Sequence, residues 1–538
     1  LETELTVRDS AQPDGSVRYC YTDSKGQESP TLRVHPGDLV ILHLRNALKD
    51  LRHEGAGDMH MQMPMAGNGC TSGMMGPVST NLHFHGLTVP PTCHEDDVMK
   101  TSVQPGDAPF EYRFRIPEDE APGLYWYHPH IHGYSKEQVL GGESGALIVE
   151  GIERVKKVVA GLPERVIIIR DQDLLHPVAP PAKSEPVVPK FLIDRDGDAA
   201  NNGTGFGKPA KDLSINYVPV PYPDYTPATI EMKPGEKQLW RVLNASAITY
   251  LNIEVLFHRQ PQPLGLVAMD GVPLGYPSLL NEAAQESAPP QTHLGLPPGA
   301  RAEFIVTGPG KGEIGLLVTR TVDTGPGGEN DPNRMLAKIV ATPNAAEPRA
   351  VDSDEAKAVT SAAPAEAWLG SVAPVKVRRL YFSEKLTNPN DATSAVEFYL
   401  TVDGQEPKMF DMNSGIPDIV AQQGTVEDWI IENRSQELHA FHIHQLHFLL
   451  LDYSGRLVNE SFLRDTVNVP YYDGHSLTYP SVRLRMDFRD PNTIGTFVYH
   501  CHLLEHEDKG MMGMIRVDPG PGAPGQHLNV AVTAPGAR

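Results

Sequence analysis

A chain of 538 residues has room for about three domains of ordinary size, and four cysteines are too few to replace a hydrophobic core with a disulfide scaffold. Its 48 glycines and 49 prolines make up roughly one residue in five, against a usual share of about 12%, which favours short strands and turns over helical bundles. The 46 basic and 68 acidic residues give a net charge of −22, which excludes sequence-independent binding to nucleic acid or an anionic membrane, and no apolar run is long enough for a transmembrane helix.

In chain order, the opening residues LETELTV carry no basic segment followed by an apolar one, which reads either as a chain without a signal peptide or as the mature form of one that had it. A phrase then recurs: LRVHPGDLVILHLRN from Leu32 to Asn46, IEMKPGEKQLWRVLN from Ile230 to Asn244, and IVAQQGTVEDWIIEN from Ile419 to Asn433. Each reads as a strand, a tight Gly turn and an alternating strand that ends at Asn. A second phrase closes each copy: GLYWYHPHIHG with GALIVEG, GEIGLLVTR with AKIVA, and GTFVYHCHLLEH with GMMGMIRV. Three such copies predict an all-β chain of three consecutive Greek-key β-sandwich domains. We place their boundaries at 1–150, 151–343 and 375–538. The Ala-, Pro- and acid-rich stretch 344–374 reads as a linker with one helical turn.

Of 22 histidines, ten fall in four clusters: His83-Phe-His85, His128-Pro-His130, His439-Ala-Phe-His442-Ile-His444, and His500-Cys-His502 with His506. The first and third repeats hold all of them. The second has YLNIEV and LLVTR at the corresponding places, a loss that core packing does not explain. Along a strand, residues i and i+2 share a face while i+1 points the other way. His83 and His85, His128 and His130, His442 and His444, and His500 and His502 therefore offer eight imidazoles to one region between the first and third domains. Cys501 leaves that face, as does His439. His506 and Met511 follow Cys501 as a ligand loop would. A thiolate, two imidazoles and a distant thioether form the donor set of a blue copper centre, and zinc is disfavoured because no CxxC pair exists.

HFHG, WYHPH, HAFHIH and HCHLLEHEDKGMM, taken in order, resemble the four ligand motifs of the multicopper oxidases of the three-domain laccase type. The last is close to that of bacterial copper-efflux oxidases and spore-coat laccases. The resemblance implies cupredoxin-like domains and four copper ions. Type 1 copper would take His439, Cys501 and His506, with Met511 axial. Type 2 would take His83 and His442. One type 3 copper would take His85, His128 and His502, and the other His130, His444 and His500. It further implies one-electron oxidation of phenols or aromatic amines coupled to reduction of O2 to water, with Glu507 and Asp96 delivering protons. Asp97, beside Asp96, could serve in its place. The rival readings are a cuprous-ion oxidase for copper detoxification and a non-catalytic copper-binding or electron-transfer protein. His132 and His447 read as packing or outer residues.

Two features stay open. Met59, Met61, Met63 and Met65, with Met74 and Met75, form either an apolar plug over the cluster's edge or a soft-donor site for Cu(I) or Ag(I). Cys20, Cys70 and Cys93 permit one bridge, with any pair eligible. A bridge would fit the periplasmic or secreted destination expected for the chain.

Overall fold

The computed structural model of the chain describes residues 1–13, 16–49, 69–70, 75–176, 207–276, 291–346, 348–353, 367–391 and 394–521. The segment Met59–Met65 and Met74 lie outside these residues, as does part of the 344–374 stretch.

The strands fall into three successive pairs of sheets, each pair a sandwich. In the first, Glu2–Ala11 pairs with Val17–Asp23 antiparallel and with Leu39–Asn46 parallel, and Phe110–Arg115 completes the sheet. Facing it are Leu32–Val34, Gly145–Val149, Gly123–His128 and His83–His85. The same plan returns when Glu164–Gln172 pairs with Lys237–Asn244, and when Lys376–Leu386 pairs with Val426–Asn433, both parallel. Leu251–Phe257 lies against Ile314–Thr319 as His83–His85 lies against Gly123–His128 and His439–Ile443 against Gly495–Cys501. The histidine-free phrases of the second repeat thus occupy the strands that carry histidines in the other two.

Outer strands alternate as a half-buried sheet requires. Ser481–Asp487 buries Val482, Leu484 and Met486 while the residues between them stay partly exposed. The strands Gly123–His128, Gly145–Val149 and His439–Ile443 are buried throughout. One face of each packs inside its own sandwich and the other against a neighbouring domain. The third core incorporates Ala247, Ile248 and Tyr250 from the second domain and Val139 and Leu140 from the first. Part of the 344–374 stretch is also tied down: Glu164 N–H donates to Arg349 O at 2.7 Å, and Arg349 pairs with Glu150 and Glu164 at 2.7 and 2.9 Å.

The Asn that ends each repeated phrase does one job three times. Asn46 Nδ2 donates to Val78 O and Val103 O at 2.7 and 2.8 Å, and its Oδ1 accepts from Leu48 N. Asn244 Nδ2 donates to Thr249 O and Leu296 O at 3.0 and 2.9 Å, and its Oδ1 accepts from Ser246 N. Asn433 Nδ2 donates to Glu437 O and Val469 O at 2.7 and 3.2 Å, and its Oδ1 accepts from Ser435 N. Each amide satisfies buried backbone where the strand leaves its sheet. Asn244→Ala strands two carbonyls and an N–H. We expect a stability loss of about 1–3 kcal/mol, read as a lower calorimetric midpoint of the copper-free protein.

Candidate metal centre

The eight predicted imidazoles converge. His83 sits opposite His128 in one antiparallel pair, and His442 opposite His500 in another. The two pairs meet face to face across the junction of the first and third domains. His83 stacks on His444 at 3.7 Å and His85 on His442 at 3.9 Å, both within 11° of parallel. His130, His444 and His500 bring nitrogens within 4.8 Å of one another, as do His83, His442 and His444, and also His83, His85 and His128. His502 closes the cage with its ring 5.0 Å from that of His85 and 5.8 Å from that of His128.

These rings fit a metal better than a hydrogen-bond network. The Nε2 atoms of His83, His128 and His442 and the Nδ1 of His85 are buried with no hydrogen-bond partner, and both nitrogens of His502 share that condition. Unsatisfied buried polar atoms are rare, and a cation is the natural occupant of a site lined by lone pairs. Burial, with repulsion from neighbouring histidines, holds His83, His85, His442, His444 and His502 well below the ordinary imidazole range. Burial likewise brings His128 to about 3 and His130 to about 4. Neutral imidazole is the ligating form.

Outer atoms fix several rings. His83 Nδ1 lies 3.0 and 3.1 Å from the two oxygens of Asp96, which also accepts from Phe84 N–H and from Gln445 Nε2. Asp96 rather than Asp97 therefore faces the cage. His442 Nδ1 donates to Asp465 O at 2.8 Å. Glu507 places one oxygen 3.0 Å from His500 Nδ1 and the other 3.5 Å from His130 Nε2. The His500 N–H itself aims at Cys501 O, 2.9 Å away, so neither Glu507 oxygen has a hydrogen-bond partner. Burial raises the Glu507 carboxyl, but His130 and His500 outweigh it and hold the group below the usual carboxylate range.

Cys501 turns away from the cage, as strand alternation requires. Its Sγ lies 3.5 Å from His439 Nδ1 and 4.0 Å from His506 Nδ1, and these three form a separate buried donor group. Burial raises the thiol, yet His439 and His506 bring it down from 9.0 to about 6. Met511 is fully buried, and its carbonyl accepts from Cys501 N–H at 3.1 Å. On the far side, His439 Nε2 meets Ser435 Oγ at 2.8 Å and Glu384 Oε1 at 3.3 Å, while His506 Nε2 lies 3.5 Å from Glu437 Oε1. His132 packs edge-on against Phe410, with Met75 Sδ accepting from its backbone N–H. His447 donates to Asp270 O.

Family profiles described as multicopper oxidase match residues 74–154 and 382–521, the two segments that carry the ligand motifs. The chain belongs to the multicopper oxidase family. A multicopper oxidase of Staphylococcus aureus is 24% identical over 501 residues, covering 91% of this chain and 81% of that one. Among solved structures, McoA of Aquifex aeolicus shares the fold with a TM-score of 0.63 at 18% identity, covering 96% of each chain. A Campylobacter jejuni multicopper oxidase described as a metallo-oxidase does so with a TM-score of 0.62 at 23% identity, covering 96% of this chain and 91% of that one. The protein is thus a laccase-like multicopper oxidase, an oxidoreductase that takes O2 as acceptor and uses copper. Among the described residues no helix is long and apolar enough to cross a membrane.

Glu384, Glu437, Gln445, Asp465 and Arg301 have no motif to announce them. Their only signal is a charged or amide group within a stretch that otherwise reads as buried strand or strand end.

The low imidazole values carry a consequence for the copper-free oxidase. In the unfolded chain these histidines titrate near 6.5, while the folded cage keeps them neutral. Their contribution to stability is therefore intact above that value and lost as pH falls below it; Glu507 adds a loss of the same sign only below its own ordinary value of 4.5, and His439 and His500, shifted upward, oppose the histidine loss. A thermal midpoint of the copper-free protein that falls between pH of about 7 and about 5 is the expected result.

Proposed function

We propose that this oxidase binds four coppers and couples four one-electron oxidations of phenols or aromatic amines to reduction of one O2, with four protons, to two waters. Type 1 copper would be held by His439, Cys501 and His506 with Met511 as a further donor, and type 2 by His83 and His442. His85, His128 and His502 hold one type 3 copper, and His130, His444 and His500 the other. The observation that carries the reading is the division of His500 and Cys501, which end one strand, and His502, directly after it, between two donor groups on opposite sides of the chain. Bound copper supplies reversible one-electron transfer beside Cys501 and multi-electron reduction of O2 within the cage.

The chain's own residues do the rest. Cys501 is joined through main-chain bonds to His500 and His502, so the link between the two donor groups is covalent and short. Burial of the cage favours the neutral form of seven of its imidazoles, while Glu507 raises the eighth, His500. Glu507 faces His130 and His500 as an ionised carboxylate, where it can relay protons to reduced oxygen. Asp96 accepts the hydrogen bond from His83 Nδ1 and keeps that ring's Nε2 turned inward.

A periplasmic or secreted location is part of the proposal. The Cys70–Cys93 disulfide, with Cys20 left as a buried free thiol, supports it, since such bridges persist in oxidising compartments. Cu(I) as the reductant is favoured by a separate observation. Two buried carboxylates, Glu384 and Glu437, set negative charge at the outer nitrogens of His439 and His506, which suits a cationic reductant. The Met59–Met65 segment, which would bear on the same question, lies outside the described residues.

Two experiments test this. Glu507→Gln should cut kcat by about 10²–10⁴ while leaving reduction of the blue centre by substrate unchanged. In stopped-flow traces the colour then bleaches normally without O2 and returns slowly once O2 is admitted; slow bleaching with normal return would refute the proton role. For the reductant, rates on a phenol and on Cu(I) are compared for the wild-type chain and Glu437→Gln. A phenol oxidase keeps its phenol rate in the variant, whereas a cuprous oxidase loses its faster Cu(I) rate.

A further inference from the structure

The second domain offers no copper ligand, yet its turn Gly299–Ala300–Arg301 reaches the cage. Gly299 adopts a left-handed backbone with φ +88°, and a Cβ there would stand 2.9 Å from His502 Nε2. Two residues on, the fully buried Arg301 forks onto Asp465 of the third domain. Its Nη1 donates to Oδ1 at 2.8 Å, and its Nη2 lies 2.7 Å from Oδ2. The guanidinium also donates from Nη1 to Gly299 O at 3.3 Å, from Nη2 to Asp270 O at 2.8 Å, and from Nε to Leu124 O, in the first domain, at 3.1 Å. One side chain thus bonds to all three domains.

Asp465 passes this on to the cage. Its Oδ1 accepts from His85 Nε2 at 3.2 Å and from Thr466 Oγ1 at 2.9 Å. An imidazole protonated at Nε2 keeps its lone pair on Nδ1, and His85 Nδ1 is the buried atom without a partner. His83, His128 and His442 are turned the other way. Their Nδ1 atoms are bonded to Asp96, Pro129 O and Asp465 O, and their Nε2 atoms face inward without a partner. His85 is therefore reversed relative to these three, and Asp465 is the group that reverses it. Gly86, directly after His85, has φ +90°, and a side chain there would run into Arg301 Nη2 and Asp465 Oδ2.

We propose that Arg301 is a positioning residue of the copper cage: by locking the Asp465 carboxylate it fixes His85 with Nδ1 inward, so the ligand-free second domain sets one ligand of the cluster. Without the guanidinium, a buried carboxylate loses its charge partner and His85 loses the acceptor that fixes its tautomer. This rests on the four-copper reading above.

The test is copper binding rather than turnover. Wild-type, Arg301→Met and Arg301→Lys chains are stripped, titrated with copper against a competing chelator, and scored for total copper and blue absorption. Arg301→Met should keep the blue copper with full absorption and bind the other coppers about 10–100-fold more weakly. Arg301→Lys should show a smaller loss of the same kind, because an ammonium restores charge but not the two-pronged geometry. An Arg301→Met chain with wild-type affinity for all coppers overturns the inference. So does one that loses blue and cage copper together in step with a lowered melting point, since that is a merely structural role. If Arg301→Met fails to fold, undiminished cage affinity in Arg301→Lys overturns it. A wild-type chain that takes up only the blue copper would instead defeat the four-copper reading, and the inference with it.

Discussion

Alternation along one β-strand underlies the whole arrangement. Residues 500, 501 and 502 are consecutive, so pleating sends the two imidazoles to one face and the thiol to the other. The eight-histidine cage and the Cys501 donor group are thereby separated by a main-chain path and by no loop that could flex. The other six cage histidines then need only meet His500 and His502. Cross-strand pairing of His442 with His500 supplies one half, and docking of the first domain's His83–His85 and Gly123–His128 strands supplies the other.

That docking places a heavy demand on the junction. Strands buried on both faces must have every polar group answered, and the junction answers with paired charges. Arg301 with Asp465, and the Arg241 guanidinium between Glu164 and Glu303, are removed from solvent. Buried pairs of this kind add little net stability over apolar packing, but removing one partner is costly. They suit a role in fixing register between domains and in orienting rings, which is the role the Arg301–Asp465–His85 chain of contacts has here.

Much of this was legible in the sequence. Three repeats, their Asn-ended phrases and the loss of histidine from the middle copy follow from self-comparison, and strand periodicity alone sends Cys501 away from its neighbours. Periodicity cannot see the partners across domains. Arg301 and Asp465 are 164 positions apart, and each has an opposite charge close by in sequence, Glu303 and Arg464, that hides its distant partner. The reversal of His85 is likewise invisible, because a period-two pattern fixes the face of a side chain and says nothing of which ring nitrogen leads. The Cys70–Cys93 pairing needed the fold to bring two loop residues together, and the choice of Asp96 over Asp97 needed the position of His83.

The central claim is that one strand serves two separate copper sites. Anomalous diffraction at the copper edge, from crystals of the copper-loaded chain, tests it most directly. The account predicts one peak beside Cys501 Sγ, His439 and His506, and three within the cage of eight imidazoles. An empty cage, a single peak there, or a peak bridging Cys501 to His500 or His502 would contradict it.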